Sequence, residues 1–208
     1  MYITIGEREF CFYKMELEMI ETNIQNIFAK FDKKTIQDLI QHKRYESLKS
    51  VVEKHYKHLL NLPVGKGLLH LKNEGDSFYK EFLNKYGDRN FSQFIVKGNE
   101  ALLNQNGIYT IDVDDEMVFV GICSSSFKLR FNQHIGNLSP KSCYKDGTAT
   151  HCHINSQITE KIHHAKINFK ICPLKESDDV RKVKNAIIKR FEPIWNLRAS
   201  NDEFLSYN

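Results

Sequence analysis

The rhythm of apolar and polar positions changes several times along the chain, and each change predicts an element. Residues 2–13 alternate through Ile3, Ile5, Phe10 and Phe12, the period of an edge strand or of a short hairpin about Gly6. From Met15 onward Ile20, Ile24, Ile27, Phe28 and Phe31 follow at helical spacing with Glu and Gln between them, which predicts an amphipathic helix. Thr35 with Asp38 three residues later is an N-cap signature for a further helix through Ile36, Leu39 and Ile40. Leu48, Val51, Val52, His55, Leu59 and Leu60 carry a helical stripe to Pro63 and Gly65, with His55 as a core or boundary histidine. Gly65-Lys66-Gly67 lacks the upstream glycine of a phosphate loop and reads as a turn. Residues 76–86 read as a short helix closed by Gly87, residues 91–96 as a strand or short helix, and residues 98–107 as a polar connection.

Beyond that connection the pattern is mixed. Gly107-Ile108-Tyr109-Thr110-Ile111 and Val118-Phe119-Val120-Gly121 are apolar, rich in β-branched residues and separated by an acidic turn over residues 112–116, which predicts a hairpin with one aromatic ring per strand. Residues 126–135 read as a helix, so Arg130 and His134, four apart, project from one side. Residues 136–150, rich in Gly, Ser, Asn, Lys and Pro, read as a long exposed loop. Residues 151–163 follow as a helix through Ile154, Ile158 and Ile162, then a strand through Ile167, Phe169 and Ile171. Ser177 or Asp178 is placed to cap a last helix whose buried stripe is Val180, Val183, Ile187 and Phe191, with Lys184 near its edge. Pro193 stops that helix and biases Glu192 toward extended geometry.

The ordered set Gly107-Ile108-Tyr109, Phe119-Val120-Gly121, Arg130, His134, Asn155 and Pro193-Ile194-Trp195-Asn196 resembles the GIY-YIG endonuclease family, whose two short motifs lie on adjacent strands ahead of a helix bearing Arg and His. The resemblance covers roughly the second half of the chain. It implies an α/β (α+β) fold with a small central sheet containing antiparallel strands, flanked by helices. The nuclease-like domain would occupy residues 100–208, its core about 100 to 198, and residues 1–99 would be a mainly helical region enlarging the DNA-contacting surface. By the same resemblance Tyr109 would orient or deprotonate the attacking water with His134 as a relay, and Arg130 would hold the non-bridging phosphate oxygens. Mg²⁺ would ligate the phosphate and leaving group, and Asn196, in the closing motif, would join the catalytic set together with the residues at positions 119 and 184. Among the family's members the chain looks most like the type II restriction endonucleases, which implies double-stranded DNA as partner and a homodimer as the assembly.

Two positions depart from the family pattern. Phe119 stands where the second motif usually has Tyr, so any role needing that hydroxyl is lost. Lys184 stands where the family has the glutamate that holds the metal, and an ammonium offers donors and no acceptor to a hard cation. Three explanations stand open. The chain is an endonuclease carrying an inactivating residue, or a nuclease-derived module that binds DNA without cutting, or it takes its carboxylate from Glu160, Glu176 or Asp179.

Composition narrows the picture only a little further. A chain of 208 residues with 41% hydrophobic residues can bury a core without staples. Its net charge of +4 permits nucleic-acid binding without demanding it. Lys141, Lys145 and Lys166 are the expected phosphate contacts, with base contacts expected from the N-terminal helical region and the loop over residues 136–150. The odd, scattered cysteines argue for a reducing compartment, and no apolar run is long enough to span a bilayer, so the expected location is cytoplasmic. Cys143, His151, Cys152 and His153 match no common zinc spacing, and Zn²⁺ is a minor alternative there.

Overall fold

The computed structural model describes residues 1–175 and 178–197. The chain is mixed α/β and divides into two compact units. The first comprises residues 1–18, 95–132 and 161–208, and the second residues 19–94 and 133–160. The two units interleave along the chain, residues 1–18 grouping with residues 95–132 and residues 133–160 with residues 19–94.

In the first unit β1 (Tyr2–Ile5) and β2 (Arg8–Cys11) form the expected hairpin about Gly6, whose φ of 62° suits a residue without Cβ. The chain then enters β3 (Tyr13–Ile24), a strand where an amphipathic helix was expected over much of this stretch. Met15, Leu17 and Met19 set a two-residue period that lies inward while Ile20 is 49% exposed, so the alternation wins over the accidental helical spacing. With β4 (Phe91–Lys97), β5 (Gly107–Val113), β6 (Glu116–Cys123) and β7 (Ile167–Pro173), it builds a five-stranded sheet in the order β4-β3-β7-β5-β6. The pairs β3–β7, β7–β5 and β5–β6 are antiparallel. The β5–β6 hairpin turns through Asp114 and Asp115, both at positive φ, with Asp112 already inside the strand.

The second unit carries short helices. They are α1 (Ile36–Leu39), α2 (Lys49–His55) and α3 (Val64–Asn73), with 3₁₀ turns at Ile27–Lys30, Lys43–Leu48, Lys57–Leu59 and Ser77–Phe82. Thr35 and Asp38 close a reciprocal capping box on α1, as their spacing predicts. The stripe through Leu60 is broken at Tyr56, and His55 is exposed rather than at a core boundary. Gly65-Lys66-Gly67 is not a turn but the first turn of α3, where a Cβ on Gly65 would stand 2.6 Å from the Ala29 carbonyl carbon. The glycine therefore lets α3 approach the backbone at residues 29–31.

The remaining helices are α4 (Glu100–Leu103) and α5 (Phe127–Leu129) in the first unit, α6 (Ala149–Lys161) in the second, and α7 (Val180–Phe191) in the first. Residues 136–150 are not an exposed loop. They contain a 3₁₀ turn at Pro140–Cys143, and Ser142, Cys143 and Tyr144 are buried. The Tyr144 hydroxyl donates to the Phe28 carbonyl at 3.0 Å, and Asn84 Nδ2 donates to the carbonyls of Ser142 and Tyr144. Asp179, not the expected Asp178, caps α7 by accepting from the Lys182 N–H, since the Asp178 carboxylate accepts from Arg8 and the Lys175 N–H; the other expected cap, Ser177, lies outside the described residues. Glu192 closes α7 in the left-handed region at φ 44°, not in the extended geometry expected before Pro193, and Phe191 is 38% exposed.

Candidate phosphate-facing site

The register of the β5–β6 hairpin brings the two motifs side by side. Tyr109 lies opposite Gly121 on one flank and Ile171 on the other. A Cβ on Gly121 would sit 2.6 Å from the Tyr109 hydroxyl oxygen, so the phenol ring lies directly over the glycine. Gly107 has φ 146°, and a Cβ there would run into the Cys172 carbonyl. Both motif glycines are thus needed for close packing, one for a ring and one for a neighbouring strand.

Tyr109 and Phe119 share a sheet face, their ring centroids 5.7 Å apart. Phe131 meets Tyr109 edge-on at 5.2 Å and Phe169 at 5.0 Å. Ser126 starts the helical segment that supplies Phe131, its Oγ accepting from the Leu129 N–H while Phe127 N–H donates to the Gln105 carbonyl. After α5 the backbone widens into a π turn, Arg130–Ile135, a device frequent at functional sites. Arg130 opens that turn, half-buried and close enough to Tyr109 for its charge to act on the phenol.

Tyr109 is 3% exposed and Phe119 4%. Burial pushes the Tyr109 hydroxyl well above the ordinary phenol range, and the Arg130 guanidinium only partly opposes it. The phenol is therefore neutral near pH 7. A buried neutral phenol of this kind can donate a hydrogen bond.

The other expected site residues fall in separate places. Asn196 uses both ends of its amide on the backbone of Val120, accepting from its N–H at 2.9 Å and donating to its carbonyl at 2.8 Å. Trp195 N–H donates to the Val118 carbonyl at 2.8 Å. Asn196 thus ties the residues after Pro193 to the β6 backbone. Lys184 is half-buried on α7, and burial lowers its ammonium pKa. Its neighbours Val183 and Ile187 pack with Ile108, Val120 and Cys172, which by strand parity lie on the face opposite the Tyr109 ring.

His134 belongs to the second unit, where it stacks on His151 with ring centroids 5.3 Å apart. In the same unit Asn155 fixes the end of the π turn: Nδ2 donates to the carbonyls of Ile135 and Ser92, and Oδ1 accepts from the Ser92 N–H. The expected phosphate lysines are engaged elsewhere. Lys141 pairs with Asp146, Lys145 with Glu81 at 3.2 Å, and Lys166 with Asp115 at 3.6 Å.

The residues present do not fit a divalent cation. Among the described residues no group of three or more His, Cys, Asp and Glu is arranged to hold a metal, and Lys184 brings an ammonium. Of the substitute carboxylates, Asp179 is occupied as the α7 cap, Glu160 is an exposed residue of the second unit, and Glu176 lies outside the described residues. Cys143 and Cys152 bring their sulfurs to 3.9 Å inside the second unit's core.

The sequence reading also missed a buried polar set on the opposite sheet face. Lys170 pairs with Asp112, and Thr110 lies beside them with no exposure. No periodicity marks this set, because in an alternating strand such positions look like ordinary solvent-facing polar residues.

The chain matches no protein-family model, no curated protein and no solved structure.

Proposed function

We propose that this chain is a GIY-YIG-type DNA endonuclease core, related in kind to type II restriction endonucleases, that with Lys184 in place binds duplex DNA and does not hydrolyse it. The observation that carries the reading is the Tyr109 ring seated on Gly121, with the Arg130 guanidinium near enough for its charge to act on the phenol. A planar cation next to a neutral phenol suits a phosphodiester: Arg130 takes two non-bridging oxygens and Tyr109 donates to one of them or to the incoming water. Phe119 completes the aromatic wall and supplies no hydroxyl. Hydrolysis in this reading needs Mg²⁺, and at the position that the resemblance assigns to its carboxylate ligand the chain has the Lys184 ammonium, on a helix packed against the sheet face opposite the Tyr109 ring.

The test is the Lys184→Glu protein assayed for plasmid nicking and linearisation with Mg²⁺, alongside the unaltered chain. Magnesium-dependent cleavage by Lys184→Glu, abolished by adding Arg130→Ala, is the expected result. Absence of cleavage by a folded, DNA-binding Lys184→Glu protein would remove the nuclease reading. The near-complete burial of the Tyr109 phenol favours what would then remain, a DNA-binding module without chemistry.

A further inference from the structure

Among the described residues seven lysines are matched with carboxylates: Lys72 with Asp88, Lys97 with Glu18, Lys128 with Glu100, and the four already described. Helix α7 stands out by composition rather than by pairing alone. Between Val180 and Phe191 it has no Asp or Glu, yet carries Arg181, Lys182, Lys184, Lys189 and Arg190. Arg190 is anchored on the Thr4 carbonyl. Among the described residues none of Arg181, Lys182, Lys184 and Lys189 lies in an ion pair. The acids at the ends of the helix do not change this, because Asp178 is held by Arg8, Asp179 caps the Lys182 N–H, and Glu192 forms no ion pair with the helix.

The placement is as uneven as the composition. Val183 and Ile187 face the apolar cluster of the first unit. Arg181, Asn185 and Lys189 succeed one another at four-residue steps on the exposed side with Lys182 next to them, and half-buried Lys184 flanks the row. Like charges so close repel one another, and an ordinary solvated helix interleaves acids among its bases. From Arg181 to Lys189 the helix rises about 12 Å, comparable with the width of the DNA major groove, about 12 Å, so the ends of the row can reach phosphates on its two rims.

We propose that this solvent face of α7, with Arg181, Lys182 and Lys189 as its contacts, is the docking surface for the phosphate backbone of duplex DNA. The inference rests on the DNA-binding part of the function proposed above and replaces Lys141, Lys145 and Lys166 as the phosphate contacts. It assigns positioning on the duplex to α7, without base readout.

The test is salt-dependent binding of a labelled random-sequence duplex, followed by fluorescence anisotropy between about 50 and 200 mM salt. Arg181→Gln/Lys182→Gln/Lys189→Gln should flatten the log–log slope by about three, so that affinity loses about 40-fold less over that fourfold range. Lys141→Gln/Lys145→Gln should leave the slope as it is. All three side chains are exposed, and circular dichroism checks that the helical content is kept. An unchanged slope in the α7 variant overturns the inference even if Lys184→Glu cleaves DNA, so the two proposals fail separately. A flattened slope with no cleavage by Lys184→Glu leaves the surface standing and removes the nuclease reading. Loss of binding to anionic phospholipid vesicles with unchanged binding to DNA would assign the row to a membrane and overturn the proposal.

Discussion

At the residue scale the hairpin depends on what is missing at Gly121. With the Tyr109 hydroxyl 2.6 Å from where a Cβ would stand, Gly121→Ala must push the ring or bend β6. An overpacked position of this kind costs about 1–3 kcal/mol, and urea denaturation of Gly121→Ala should show a loss in that range. Asn196→Ala removes two backbone contacts from Val120, and the same measurement should show about 1–3 kcal/mol lost. Neither role was open to sequence reading in the same measure. The motif resemblance singled out Gly121 and Asn196, but the ring over the glycine follows from strand register, and the Asn196 contact joins residues 76 apart. Tyr109 shows the limit most clearly, since the resemblance pointed to the residue but not to the burial that raises its phenol.

At the element scale the sequence was most legible where one period ruled. The β5–β6 hairpin, α6 and β7 lie where alternation or helical spacing put them, because their buried faces are continuous. Two elements were misread for opposite reasons. In β3 the apolar residues fit two periods at once, and pairing with β7 at Tyr13 to Met15 decides for the strand. In residues 136–150 polar composition hid a buried segment whose carbonyls are satisfied by Asn84. The charge on α7 was visible as a list of basic residues; the observed bounds of the helix show that it holds no acid among them. For α7, Asp179→Ala should cost about 1 kcal/mol through the lost cap, read as a lower thermal midpoint.

At the scale of the whole chain, several tyrosines share one shift. Tyr45, Tyr109 and Tyr144 are raised by burial, and Tyr79 is pushed up to about 12 by burial and then by Asp88. In the unfolded chain these phenols ionise near pH 10, whereas in the folded chain they hold their protons to higher pH. Above about pH 10 the folded state thus binds more protons, and stability falls as pH rises. Alkaline titration should show tyrosinate absorbance from these residues arriving together with unfolding, and separate, earlier ionisation would contradict the burial described. The interleaving of the two units was not legible, because a division made of several chain segments leaves no composition shift to read.

The Val118 and Val120 contacts of Trp195 and Asn196 have one more consequence. β6 is the outermost strand of its sheet, and Trp195 and Asn196 of the same chain occupy outward-facing backbone groups on it. A stranger's strand arriving at that rim finds the template partly taken, which blunts fibril-like growth there. Should two copies of this chain associate, side-chain packing elsewhere, rather than a continuous ribbon through β6, would have to join them.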